Sequence, residues 1–237
     1  MKVRLMVTCL CDAFYGEVGI ATTKVLEHFG CEVEFLPEQT CCGQPPFNAG
    51  DWEAAKPIVE RCLNTFELDQ KKPIPVVTPS SSCAAMLREG AHQLLGRGSN
   101  DVYELCEFLV KKLDVSEVGG SVDPVKVALH RACHGRALGL TDEQERLLSS
   151  VSGVTLVPVE APEQCCGFGG AFSVTHGETS SGIGVRKLDA VADSGADLLV
   201  AGDMGCLMHL KGLMGKEGKQ VRTAHIAELL AEAVSNG

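Results

Sequence analysis

The residues of this sequence most suited to chemistry are two pairs of adjacent cysteines. TCCGQPPF at 40–47 contains Cys41 and Cys42, and QCCGFGGA at 164–171 contains Cys165 and Cys166, at an offset of 124. A single cysteine lies 32 residues before the first member of each pair, and another lies 41 or 40 residues after the second member. Eight of the twelve cysteines therefore form a duplicated frame, which consists of Cys9, Cys41, Cys42 and Cys83 in the first copy and Cys133, Cys165, Cys166 and Cys206 in the second. Four converging thiolates are typical ligands of a zinc ion or an iron-sulfur cluster, so we predict that each copy binds metal.

The surroundings of these cysteines favour a cluster over a structural zinc ion. Structural zinc sites typically use short C-x₂₋₄-C knuckles, but Ser80 and Asp203 lie three residues before Cys83 and Cys206, where such a knuckle would need a thiol. Glycines beside the pairs let the backbone and its N–H groups approach a bulky cluster. We therefore predict cofactor contacts at Gly43, Gly167, Gly169 and Gly170. A vicinal disulfide or two unrelated buried thiols would explain one isolated pair, but they do not explain the repetition of the frame.

The elements that must position these cysteines alternate between strands and helices. Apolar runs predict strands over 2–8, 31–36 and 73–78 in the first copy and over 125–130, 154–159 and 196–202 in the second. Helical spacing covers 17–29 and 51–66 and follows SSSC at 80–83, and in the second copy helices begin near 141, run toward 193 and follow 202. This alternation predicts an α/β fold in which each half has a small parallel sheet with flanking helices. All eight frame cysteines then lie at strand carboxyl ends, the edge where open α/β sheets build their ligand sites.

The frame also predicts how the 237 residues divide. DVSEVGGSVDP at 114–124 has no apolar periodicity and is rich in turn residues, so we interpret it as a linker. The predicted halves are residues 1–120 and 121–237, and they are expected to be pseudo-symmetric.

Composition limits the cellular setting and the partners. A net charge of −10 argues against nucleic-acid binding, which needs clustered basic residues. The apolar run at the N-terminus is too short for a signal peptide, and no stretch approaches the length of a membrane span. We therefore expect a cytoplasmic protein, where structural disulfides are rare. No strand followed by G-x-G-x-x-G and no P-loop is present, so nucleotide binding is not expected.

Other candidate residues have weaker signals. HRACHGR places His130, Arg131, His134 and Arg136 around Cys133, where they would either tune a metal centre or form a solvated loop face. His176 and His209 are expected at the surface or beside the ligands, and not as ligands. Three of the four cysteines outside the frame, Cys31, Cys62 and Cys106, are expected to pack as small apolar side chains. The role of the fourth, Cys11, is left open because it lies two residues from Cys9.

The cysteine pattern resembles the cysteine-rich CCG-domain proteins, which include the cysteine-rich component of heterodisulfide reductase and the iron-sulfur subunit of glycolate oxidase. The similarity is greatest to the lactate-utilization branch, and it lies in VTCLCDAFYGEVGIAT, EQTCCGQPPFNAG, CCGFGGAFS and DMGCLMH. The resemblance covers essentially the whole chain. It implies an iron-sulfur protein of two pseudo-symmetric halves that carries electrons in a multi-subunit system oxidising L-lactate to pyruvate. The partners that it implies are other iron-sulfur subunits and a peripheral electron acceptor.

One departure from this family leaves the metal centre open. In the heterodisulfide reductase branch each frame ends in C-x-x-C, and its five cysteines hold non-cubane clusters, whereas Ser80 and Asp203 replace the fifth thiol here. Four thiols per half fit a cubane [4Fe-4S] cluster, a non-cubane cluster with an oxygen ligand, or zinc in one half. Glycolate or another 2-hydroxy acid is the alternative substrate. A zinc-stabilised scaffold or regulatory module without a redox role is the alternative from another class.

Overall fold

Two four-stranded sheets, both entirely parallel, form the framework of the protein. The computed structural model describes residues 1–68, 70–218 and 221–237. In the first sheet the order is β2-β1-β3-β4, and in the second it is β6-β5-β7-β8, so the two sheets have the same topology. The strands are β1 Lys2–Leu5, β2 Glu32–Phe35, β3 Val76–Thr78 and β4 Val102–Glu104, followed by β5 Ser121–His130, β6 Ser152–Leu156, β7 Leu198–Ala201 and β8 Arg222–His225.

Helices connect the strands and cover the sheets. The first half contains α1 Cys9–Phe14, α2 Gly16–His28, α3 Gln44–Asn48, α4 Trp52–Thr65, α5 Ser81–Ala85, a π turn at Met86–Gly90, α6 Ala91–Leu95 and α7 Leu105–Lys111. The second contains α8 Cys133–Ala137, α9 Glu143–Ser149, α10 Phe172–Thr175, α11 Gly177–Asp193, α12 Met204–Glu217 and α13 Ile226–Ser235. The inner strands β3 (VVT) and β7 (LLVA) are buried throughout, as expected for parallel strands with helices on both faces. The α/β fold with two similar halves is therefore confirmed.

The two halves share one hydrophobic core. Helix α13 packs against α2, and α7 packs against α9, so the last helix of each half covers an element of the other half. One buried cluster joins Val25 and Leu26 of the first half to Ile226 and Leu230 of the second. Closer to the cysteines, α1 contacts α12, and α5 contacts α8.

The clearest differences between the structure and the sequence prediction concern β4, β8 and the start of β5. No strand is predicted at β4 or β8, and no helix at α7 or α13 directly after them, because VYE and RTAH contain charged residues and form no apolar run. Residues 121–124, predicted as part of a linker, belong to β5. A register shift between Ser121 and Val125 lets Pro124 lie within this strand, since a proline cannot donate to a regular ladder. The division of the chain at residue 120 stays a prediction.

Candidate metal centres

The four frame cysteines of the first half lie together at the carboxyl edge of their sheet. Cys9 begins α1, Cys41 and Cys42 precede α3, and Cys83 lies in the first turn of α5. The Cys9 and Cys41 Sγ atoms are 3.7 Å apart, and the Cys42 and Cys83 Sγ atoms are 3.2 Å apart. The structure thus brings together four thiols that the sequence separates by up to 74 residues.

The second half repeats this arrangement. Cys133 begins α8, Cys165 and Cys166 precede α10, and Cys206 lies in the first turn of α12. The Cys166 and Cys206 Sγ atoms are 3.0 Å apart, and the neighbouring Cys165 side chain raises the pKa of Cys133. In both halves the first and last cysteines lie at helix N-termini, where free N–H groups and the helix dipole stabilise negative charge.

Two of the predicted glycines have a role that the sequence did not indicate. Gly43 and Gly167 have positive φ angles of 87° and 90°, and a Cβ atom at Gly43 would lie 2.6 Å from Cγ2 of Val59. They therefore turn the backbone and let it pack closely on α4 at Gly43 and on α11 at Gly167. Their N–H groups donate to Sγ of Cys41 at 3.4 Å and of Cys165 at 3.3 Å. The predicted cofactor contacts at all four glycines, Gly43, Gly167, Gly169 and Gly170, stay predictions; a Cβ at Gly170 would face Pro45 of the other half.

In each centre one cysteine has a lowered pKa, and the cysteines in contact with it have raised pKa values. The pKa of Cys41 lies well below its usual range, because the side chains of Cys42 and Cys9 and the backbone N–H of Gly43 donate hydrogen bonds to its sulfur. The pKa of Cys42 is raised by its hydrogen bonds with Cys41 and Cys83 and by complete burial. The pKa of Cys9 is raised by Cys41 and by burial.

The second centre follows the same rule. Hydrogen bonds from Cys133 and Cys166 lower the pKa of Cys165, and contact with Cys165 raises the pKa of both neighbours. A bound cation would stabilise several adjacent thiolates in each half at once. The donor set of each half therefore fits a thiophilic metal ion or an iron-sulfur cluster.

A cavity of about 460 Å³ lies between the two halves. Six of the eight frame cysteines line it: Cys9, Cys41, Cys42, Cys83, Cys166 and Cys206. Phe168 and Met208 add apolar surface from the second half. The two thiol clusters consequently face a common space at the interface.

Ser80 and Asp203, the residues in place of a fifth thiol, are the N-cap residues of α5 and α12 and form an isolated β-bridge across the halves. The Oδ2 atom of Asp203 accepts hydrogen bonds from Ser82 Oγ at 2.6 Å, Ser82 N at 3.0 Å and Ser80 Oγ at 3.3 Å. Ser80 Oγ in turn accepts from the backbone N–H of Cys83 at 3.2 Å. These oxygens join the halves and cap a helix, which disfavours them as metal ligands.

The HRACHGR stretch divides into a buried part and an exposed part. His130 ends β5 and is fully buried, contrary to a solvated loop face. Arg131 bonds to Thr141 O and pairs with Glu145, and Arg136 pairs with Glu163 near the surface. His134 Nδ1 lies 3.3 Å from Ser82 Oγ and 3.7 Å from Cys133 Sγ.

A buried lysine beside the second centre was missed at the sequence level. Lys187 of α11 is fully buried, and its Nζ donates to the carbonyls of Ala161 at 3.4 Å and Pro162 at 3.0 Å. It thereby fixes the loop that leads into Cys165. Burial lowers its pKa, and the nearby Cys166 sulfur opposes that shift. A lysine within a run of helical residues gives no signal of this role, since most lysines are exposed.

The remaining candidates agree with their expected places. Cys31, Cys62 and Cys106 are buried in the apolar clusters, as predicted for packing residues. Cys11, left open before, is also fully buried and packs among second-half residues such as Leu210. His176 is exposed, whereas His209 is half-buried against Phe168, with its Nε2 3.3 Å from Ser180 Oγ. No helix in the described ranges has the length and apolar character that crossing a membrane requires.

The fold and the site together define a class of protein: duplicated α/β chains that hold a cluster of four cysteines at the edge of each sheet. The family described as "Cysteine-rich domain" matches the chain twice, over residues 3–88 and 127–211, and the chain belongs to this family. A relative named "Lactate utilization protein A", from Geobacillus thermodenitrificans, is 44% identical over 241 residues, which cover 97% of this chain and 98% of the relative. "Lactate utilization protein A 1" from Bacillus cereus is 41% identical over 240 residues, with the same coverage of both chains.

A solved structure supports the fold alone. The crystal structure of a hypothetical protein from Helicobacter pylori matches 100% of this chain with a TM-score of 0.62 and 11% sequence identity. This chain spans 49% of the length of that one. The resemblance to the CCG-domain proteins that the cysteine frame implied is confirmed by the family match and by the named relatives.

Proposed function

We propose that this protein is an iron-sulfur electron-transfer subunit of a multi-subunit system that oxidises L-lactate to pyruvate. The observation that carries the proposal is the pair of four-thiol clusters at equivalent sheet edges, each with two sulfurs at helix N-termini. The named relatives, which match over nearly their whole length, support the lactate system.

The chain would hold one [4Fe-4S] cluster in each half. The first centre would use Cys9, Cys41, Cys42 and Cys83, and the second would use Cys133, Cys165, Cys166 and Cys206. Such clusters accept and donate single electrons at potentials set by hydrogen bonds, local charge and solvent exposure. The N–H groups of Gly43 and Gly167 already point at a ligand sulfur, so the backbone favours the thiolate form of both pairs.

Electron transfer, as opposed to substrate oxidation by this chain alone, is favoured by the placement of the thiols. Cys9, Cys133 and Cys165 are exposed, so both centres lie where a partner subunit can approach them. The sequence carries no dinucleotide-binding fingerprint that would accept a hydride. The partners proposed here are other iron-sulfur subunits of the lactate system in the cytoplasm, with a peripheral electron acceptor beyond them.

Metal analysis of protein purified without oxygen tests the proposal. We expect a brown protein with about eight iron atoms and a similar amount of acid-labile sulfide per chain, as two four-iron clusters require. Electron paramagnetic resonance of the reduced protein should show two centres. A colourless protein with zinc in both halves would overturn the electron-transfer function and favour the zinc-stabilised scaffold.

Three matched substitutions assign the metal to the two frames. Cys41→Ala should remove the first centre and Cys165→Ala the second, each with loss of about half of the iron. Cys31→Ala removes a buried thiol that lies outside both frames and packs in the shared core, so it should retain the full iron content. Equal iron loss in all three variants would show general unfolding and refute the assignment.

A further inference from the structure

His130 is a buried polar side chain with no partner for either ring nitrogen. The residue is 1% exposed, and neither Nδ1 nor Nε2 has a hydrogen-bond partner among the described residues. A buried polar group without a partner costs free energy, so native structures satisfy almost all of them. Its position at the end of β5, the strand that leads to Cys133, places this ring at the second thiol cluster.

The ring lies at ligand distance from two cysteines of the second frame. One nitrogen of His130 and the Sγ atoms of Cys166 and Cys206 all lie within 4.8 Å of one another. Two metal–sulfur bonds of about 2.3 Å and one metal–nitrogen bond of about 2.0–2.1 Å span such a group of atoms. Imidazole is a common ligand of iron and of zinc.

The residues expected to supply an extra donor are engaged elsewhere. Asp203 Oδ2 accepts three hydrogen bonds from the first half, and Ser80 Oγ both donates to Asp203 and accepts from Cys83 N. His134 Nδ1 lies 3.3 Å from Ser82 Oγ. His130 thus remains the buried nitrogen donor beside the second frame without a competing contact in the described residues.

The first half has a different side chain at the equivalent position. Met6 lies three residues before Cys9, as His130 lies three before Cys133, and it is buried in an apolar cluster with Cys42 and Cys83. A methionine at this position shows that the repeat accommodates an apolar side chain of similar length. The two centres, which have equivalent cysteines, therefore differ in this buried side chain beside the ligands.

We propose that His130 is a nitrogen ligand of the metal centre in the second half, so that this centre has a mixed sulfur and nitrogen donor set and the first has sulfur alone. A cubane [4Fe-4S] cluster has four terminal ligand positions, so with His130 bound the second centre either is non-cubane or leaves one of its four thiols unbound. This inference depends on one part of the proposed function, which is that the second frame binds metal. It makes the two clusters chemically distinct, and their reduction potentials are expected to differ as a result.

Nitrogen hyperfine spectroscopy on the reduced protein tests the inference, with ¹⁵N-labelled histidine to identify the source. We expect a strong coupling from directly bound nitrogen in the Cys41→Ala variant, which retains only the second centre, and none in Cys165→Ala. If the second frame holds zinc, X-ray absorption should give a nitrogen shell at about 2.0–2.1 Å beside sulfur at about 2.3 Å.

Two further variants distinguish ligation from general proximity. His130→Met reproduces the first-half residue and should abolish the coupling, with a shift in the potential of the second centre. His134→Gln removes the other histidine near Cys133 and should leave the coupling unchanged. The labelled wild-type spectrum needs no substitution, so a misfolded His130→Met variant does not prevent the test.

The outcomes separate the two hypotheses. Metal in the second half with no bound nitrogen, or a coupling that survives in His130→Met, overturns the role of His130 and leaves the electron-transfer function intact. Protein that binds no metal at the second frame overturns both.

Discussion

Alanine at two glycines of the second half should change stability in opposite directions, although the chemical change is the same. Gly167, directly after the cysteine pair, has φ = 90°, and a Cβ atom there would collide with the carbonyl oxygen of Ser180. Gly182 lies in the middle of α11, is exposed, and has no atom within 4 Å of the position that its Cβ would take. Gly167→Ala should therefore destabilise the protein, and Gly182→Ala should stabilise it.

The magnitudes follow from the geometry at each position. Forcing an alanine into the left-handed region costs about 1–2 kcal/mol, and overpacking against backbone costs a further ~1–3 kcal/mol, so Gly167→Ala should lose about 2–5 kcal/mol. In an exposed helix interior alanine is favoured over glycine by up to ~1 kcal/mol, which is the expected gain for Gly182→Ala. At roughly 2–4 °C per kcal/mol for a chain of this size, the midpoints should shift down by roughly 4–20 °C for Gly167→Ala and up by at most about 2–4 °C for Gly182→Ala.

Thermal unfolding followed by far-ultraviolet circular dichroism measures both shifts. The proteins should be prepared without oxygen and compared at equal metal content, because a bound metal adds its own free energy to that of folding. Shifts of the same sign in the two variants, or an unchanged midpoint in Gly167→Ala, would contradict the assignment of Gly167 to a turn that only glycine tolerates.

Three other predictions concern the contacts between the halves. His225 is fully buried, and burial is the main cause that lowers its pKa to about 4. Because this folded pKa lies below the ordinary 6.5, the free energy of unfolding should decline as the pH falls from about 6.5 toward 4, by up to ~3 kcal/mol. His225→Asn, which also loses the bond to Pro79 O, should flatten this decline in urea unfolding measured at several pH values. Asp203→Ala leaves its hydrogen-bond donors in the first half without an acceptor and should cost about 1.5–3 kcal/mol in the same assay; a loss below 0.5 kcal/mol (roughly the scatter of surface substitutions) would be inconsistent with a structural bridge. Residues 1–120 produced alone should not fold cooperatively, because the core cluster is shared; a sharp unfolding transition for that fragment would be the contrary result.

The positions of the frame cysteines in the fold were predictable from the sequence because they depend on general rules. A repeated interval between cysteines can be recognised even when the limits of helices and strands are not known, and parallel strands end at the same edge of a sheet. The frame therefore located Cys9 and Cys133 beside the two pairs without knowledge of a contact. The strands β4 and β8, VYE and RTAH, contain charged residues and form no apolar run, and their existence depends on pairing with the neighbouring strands β3 and β7.

His130 and Lys187 could not be assigned from the sequence because both are polar residues with buried side chains. A signal for His130 was present, since β5 lies between β6 and β7 and is covered on both faces, which leads to burial of the residues at its end. Of the two alternatives given for His130, a role at the metal centre or a solvated loop face, burial excludes the second, and the strand predicted over 125–130 ends at this residue as β5 does. The bond between Asp203 and Ser82 joins residues 121 positions apart and depends on how the halves pack, which no local pattern encodes.

Because α13 packs on α2, the core of the first half can be completed only after the last helix has been synthesised. Helix α2 forms among the first 30 residues, yet the side chains that cover it belong to residues 226–235. The apolar face of α2 therefore stays uncovered while about 200 further residues are added. All eight frame cysteines precede α13 in the sequence, so the complete set of thiols has been synthesised before the fold closes around them.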